Sequence, residues 1–98
     1  FKINFNNKSI DIHNKIRALN YKGAFATFNG SRVKLFNTFY DLNNNNLNIG
    51  DFILSKNENL LIGTAKGVLI VGKLQLENRK IINSKNFYNS YNLNGKFE

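Results

Sequence analysis

From Ala24 to Leu76 the chain is a succession of short β-type runs punctuated by turn dipeptides, and that spacing limits the folds open to it more than any other feature. "AFATF" is followed by Asn29-Gly30, a pair that tolerates positive φ at both positions and so favours a two-residue hairpin, and then by "RVKLFNTFY". "DFILS", "LLIGTA" and "VLIVGKLQL" come next, the last two joined across Lys66-Gly67. Turns this tight make neighbouring strands antiparallel and leave no room for crossover helices. The pattern therefore predicts an all-β domain with flanking helices, built as a small barrel of about five or six antiparallel strands. Gly63 and Gly72 lie inside strand patterns, where they predict bulges or bends that let a short sheet curl.

The flanks carry helical signals. Between Ser9 and Leu19 the apolar residues Ile12, Ile16 and Leu19 recur at i, i+4 and i+7, with Ser9 placed to cap the first amides and Asp11 in the positive first turn. His13, Lys15 and Arg17 fall off this stripe. His13 is accordingly expected at the surface, and Arg17 near the helix C-terminus, where the dipole favours a cation. Ser84 is a second candidate cap, before the short helix or turn "KNFYNSY". The Asn43–Asn46 run is expected to be a solvated, flexible loop.

With 98 residues the chain has room for one core, so residues 1–98 are expected to be a single domain. It contains no Met, not even at its start, and is expected to be a piece of a longer polypeptide. The absence of Cys excludes a disulfide framework and thiolate metal sites, and the single His with six scattered carboxylates offers no ligand cluster, so no metal is expected. No apolar run approaches the ~18 residues of a membrane span. A soluble, intracellular chain with no membrane role is the expectation.

Charge then narrows the partners. Fourteen Lys and Arg against six Asp and Glu give a net +8, a balance that favours polyanions, nucleic acid above all. Arg32 and Lys34 alternate with Val33 and Leu35, so if the apolar pair faces the core both cations project from the same outer face. Lys22 precedes the hairpin, Lys66 occupies a turn, and Arg79 and Lys80 follow the last long strand. These six residues, Lys22, Arg32, Lys34, Lys66, Arg79 and Lys80, are the candidate nucleic-acid contacts. Phe25, Phe28, Phe36, Phe39 and Tyr40 have the chemistry to stack on bases, but a Trp-free barrel needs large side chains inside, and core packing is expected of them. No nucleophile with a base, paired acid and base, or phosphate-cradling glycine pattern assembles. No catalytic residue and no bound cofactor are expected in the chain.

The order of segments carries a more specific signal. "INF…SIDIHNKIRALN…GAF…NGSRVKLF", then "GDFILS", "LLIGTA…GVLIVGKLQLENRK" and finally "NFYNSY…GKF", resembles the C-terminal domain of methionyl-tRNA formyltransferases over nearly the whole chain. The resemblance implies an OB-like β-barrel that follows a separate catalytic domain in cis and offers a basic surface to initiator tRNA. Formyl-tetrahydrofolate, the formyl donor, and the catalytic residues would belong to that other domain. It further implies a monomer in the cytoplasm of a bacterium or in an organelle. Thr64–Gly67, "TAKG", departs from the family's Gly-Asp-Gly turn and puts Lys66 where an acidic residue is usual. Two alternatives stay open: the same module attached to another folate-dependent formyltransferase, and a free-standing single-strand binder using exposed Phe28 or Phe36.

Overall fold

A computed structural model describes residues 1–92 and 95–98 of the chain. The elements run α1 (Ser9–Ala18), β1 (Ala26–Phe28), β2 (Ser31–Asp41), β3 (Phe52–Leu54), β4 (Leu60–Gly63), β5 (Val68–Leu76), β6 (Ile82–Asn83) and α2 (Ser84–Tyr91). All strand pairs are antiparallel, in the order β1-β2-β5-β4-β3 with β6 on β5. The five-strand path curls into a half-barrel flanked by the two helices, the small OB-like all-β domain expected. Asn29 and Gly30 take φ of 51° and 82° and close the first hairpin, as that dipeptide predicts.

The longest pairing, β2 with β5, runs from Val33 opposite Leu76 to Asp41 opposite Val68 without an inserted residue. Its inward face changes midway. Val33 and Leu35 point into the core opposite Leu76 and Leu74; beyond Asn37 the inward pairs are Thr38 with Val71 and Tyr40 with Leu69. Asn37 makes the change possible by adopting φ 53°, a left-handed conformation that Asn accepts more readily than a branched residue. Gly72 lies against it: a Cβ there would come within 2.9 Å of the Asn37 Cβ. Gly72 thus marks a bend, not a bulge. Gly63 serves a different purpose, since a Cβ would sit 2.1 Å from the Asn48 carbonyl oxygen, and its absence lets the β2–β3 loop lie on the sheet.

Two chain ends complete the barrel. Near the N-terminus, the Ile3 amide donates to the Phe25 carbonyl at 2.7 Å, beside β1. At the other end Glu98 and Thr27 exchange backbone bonds and the Phe97 amide donates to the Gly50 carbonyl, so the tail spans from β1 to the loop before β3. Phe97 is buried and joins a ring cluster centred on Phe28, whose centroid lies 5.0 Å from Phe97, 5.1 Å from Phe87, 5.6 Å from Phe52 and 5.7 Å from Tyr91. Burial of Phe28 removes it from any stacking role.

Several local expectations are corrected. Lys8, not Ser9, is the N-cap of α1; Ser9 is the first helical residue, fully buried, with its amide donating to the Lys66 carbonyl. Asn83, not Ser84, caps α2, its side-chain oxygen accepting from the Asn86 amide at 2.8 Å. The Ser84 hydroxyl instead donates to the Val71 carbonyl. The asparagine run is not merely solvated: Asn45 Oδ1 accepts the Gly67 amide at 2.7 Å and pins the β4–β5 turn. Phe39 is 57% exposed rather than in the core.

If the tail is part of the core, Phe97→Ala should cost about 3–5 kcal/mol, comparable with Leu74→Ala at about 2–5 kcal/mol, both read as urea midpoints. A freely fraying terminus would instead make the Phe97 change nearly silent. Asn45→Ala should cost about 1 kcal/mol by leaving the Gly67 amide without its partner.

Candidate functional site

Arg32 and Lys34 lie on β2 before the switch at Asn37, with Val33 and Leu35 buried between and beyond them, so both cations stand on the outer face. Thr27 of β1 and Glu77 flank Arg32 across the sheet, and Gln75 of β5 lies opposite Lys34. Lys22 comes from the turn after α1 and borders the same open groove, which is lined by Phe1, Lys22, Phe25, Arg32, Lys34 and Gln75 among others. Arg79 and Lys80 follow β5 and line a neighbouring groove that shares Leu76 with the first. Five of the six expected cations therefore gather at one end of the barrel.

Lys66 does not join them. It sits in the β4–β5 turn beside the start of α1, where its carbonyl accepts the Ser9 amide. That turn precedes Val68, while Gln75 marks the cationic end, so roughly 23 Å of strand separates the two at ~3.3 Å per residue. Lys73 takes a place the sequence reading did not give it: exposed, opposite Phe36, it extends the row of Arg32 and Lys34 across β5. The signal was present in Lys73-Leu74-Gln75-Leu76, whose alternation repeats that of Arg32 to Leu35.

Two contacts shape this end further. The Arg32 guanidinium carbon lies 4.4 Å from the Phe25 ring centroid, and Lys15 Nζ lies 4.6 Å from that of Phe1. A ring beneath a guanidinium restricts it and holds its free face toward solvent. Among the described residues the only ion pair is Lys85 with Glu58 at 3.9 Å, so no carboxylate within that range neutralises the cationic end. Glu77 is the one acidic residue lining the groove.

Comparison with known proteins adds an independent line. A sequence profile described as "Formyl transferase, C-terminal domain" matches residues 1–92. The chain is 31% identical over 105 residues to the methionyl-tRNA formyltransferase of Mycoplasma mycoides, covering 99% of this chain and 33% of that protein. Against the methionyl-tRNA formyltransferase of Rickettsia bellii the identity is 29% over 91 residues, covering 92% of this chain and 29% of that protein. The chain thus spans about a third of the length of the curated relatives it matches.

One further titratable group was expected at the surface and is instead enclosed. His13 is only 5% exposed; its Nδ1 lies 2.8 Å from the Thr38 hydroxyl, and the rings of Phe39 and Tyr40 stand 5.5 and 5.6 Å away. Burial, reinforced by the Arg17 charge, holds its pKa below the usual 6.5. The imidazole packs between α1 and β2 within hydrogen-bond distance of the Thr38 hydroxyl. Because the unfolded chain takes up the His13 proton first as pH falls, the His13 contribution to stability should drop from about pH 7 down to the folded-state pKa and be constant above pH 7. His13→Gln should flatten that part of a urea-midpoint profile.

Proposed function

The chain belongs to the family of formyl transferase C-terminal domains, and on that premise we propose that it is the tRNA-binding module of a methionyl-tRNA formyltransferase. In this reading the parent transfers a formyl group from formyl-tetrahydrofolate to the methionyl group on initiator tRNA. This chain contributes a basic platform and no catalytic group. The observation that carries the proposal is the gathering of Lys22, Arg32, Lys34, Arg79 and Lys80 at one end of the barrel, extended by Lys73. The names of the relatives supply the kind of RNA.

The chemistry of that end suits a phosphate backbone. Exposed cations without carboxylate partners can exchange their counterions for phosphates, and Phe25 holds Arg32 with its outer face free. Contacts to phosphate fix position without reading sequence, so selection of the initiator species and the transfer step fall to the rest of the parent. In this reading the formyl donor binds the catalytic domain in cis. The parent is expected to act as a monomer in a bacterial cytoplasm or an organelle; no helix among the described residues is long and apolar enough to cross a membrane.

Anisotropy titrations with tRNA at several salt concentrations test this. Taking the double-helical value known for B-DNA, each phosphate contact should contribute about −0.9 to the slope of log affinity against log salt, so four to six contacts give roughly −4 to −5. Arg32→Glu with Lys34→Glu should weaken initiator and elongator tRNA alike and lower the slope by about two units, and Lys73→Glu by about one. Lys66→Glu should change the slope much less. Loss of one tRNA selectively, or an equal effect at Lys66, would contradict a backbone platform at this end.

A further inference from the structure

Past the switch at Asn37 the outward positions of four neighbouring strands fall into one cross-strand row: Phe39 opposite Ile70, Ile70 opposite Leu61, and Leu61 opposite Ile53. All four are apolar, and each is more exposed than its immediate neighbours in the strand. At ~4.8 Å between strands the row is roughly 14 Å across. Its ends are open, with Phe39 57% and Ile53 42% exposed, while Ile70 and Leu61 between them are half-buried. His13 braces Phe39 with an edge-on ring contact at 5.5 Å.

The surroundings of the row say what it suits. None of the residues two positions to either side of it along these strands is a lysine or arginine, and two, Asp41 and Asp51, are acidic. On a chain of net +8, a row with no lysine or arginine among these strand neighbours offers little to a polyanion or an anionic membrane, and a contiguous apolar patch on a sheet face suits a protein surface better. Four side chains supply at most a few hundred Å², short of the roughly 800 Å² per partner of a stable free association. A partner tethered in the same polypeptide needs far less, because its effective concentration is on the order of millimolar. The relatives, of which this chain covers 29% and 33%, contain such a tethered remainder.

We propose that the row of Phe39, Ile70, Leu61 and Ile53 is the face on which the rest of the parent polypeptide docks, an inference that rests on reading this chain as one module of a larger formyltransferase. One outer face then serves two partners: its cationic end meets RNA, and its apolar end meets the catalytic portion.

Hydroxyl-radical footprinting of the full-length parent, with and without tRNA, tests this directly. After correction for intrinsic reactivity, Phe39 and Ile53 should label about tenfold less than Ile81, which is 51% exposed here and lies off the row. In the same protein Phe39→Ser with Ile53→Ser should speed proteolysis between the two portions several-fold; if that variant misfolds, the unmodified protein still decides. Labelling of Phe39 and Ile53 equal to that of Ile81 overturns the proposal, as does protection that vanishes on dilution, which would make a second copy the occupant, or protection that appears only with tRNA. Parallel tRNA titrations separate this test from the RNA-binding reading: protection without tRNA binding supports the docking face and sinks the platform, and binding with an unprotected row does the reverse.

Discussion

The pairing of β2 with β5, and its change of face at Asn37 and Gly72, is the constraint on which the rest of the molecule depends. A regular pair would keep one set of side chains inward along its whole length. Here the left-handed Asn37 packs against a residue with no Cβ, and the inward set shifts by one position while the register stays intact. Leu35 and Leu74 can then face one part of the core and Val71 and Leu69 another. On the outside, the same shift separates Arg32, Lys34 and Lys73 from Phe39 and Ile70. One local backbone conformation therefore sets the core and divides the outer surface.

The core shows how a small chain without Trp, Met or Cys fills a barrel. Phe28 stands at the centre of a ring cluster drawn from β1, β3, α2 and the tail, and Gly95 lies so close to it that a Cβ would come 2.0 Å from the ring. The profile of the family stops at residue 92, yet Phe97 is 1% exposed and its strand-like tail bridges β1 and the segment before β3. The last residues of this chain act as a staple across the open side of the half-barrel.

Much of this was legible because it is encoded locally. Asn29-Gly30 specifies its turn by backbone preference, and the alternation from Arg32 to Leu35 specifies an outer pair of cations by the period of a strand. What was missed follows from tertiary context. Strict alternation from Val33 and Leu35 sends Phe39 inward, and the switch at Asn37 sends it out. Alternation read from Leu69 and Val71 sends Lys73 inward, alternation read back from Leu76 and Leu74 sends it outward, and the bend at Gly72 reconciles the two. His13 lies off the helical stripe, and nothing near it in sequence announces the Thr38 hydroxyl that accommodates it. Lys66 looks like the other turn cations in sequence, because the sequence does not reveal which end of the barrel a turn occupies. Ser9 and Ser84 each stand one residue inside the cap position.

If the outer face is divided as proposed, RNA is confined to its cationic end. Amide shift mapping by NMR, with tRNA added to the isotope-labelled chain at low salt, tests that division at residue resolution. Perturbations should fall at Lys22, along Arg32 to Lys34 and from Lys73 to Lys80, with Phe39, Leu61, Ile70 and Lys66 unmoved. Perturbations spread evenly along β2 and β5, or centred on Phe39 and Ile70, would contradict it.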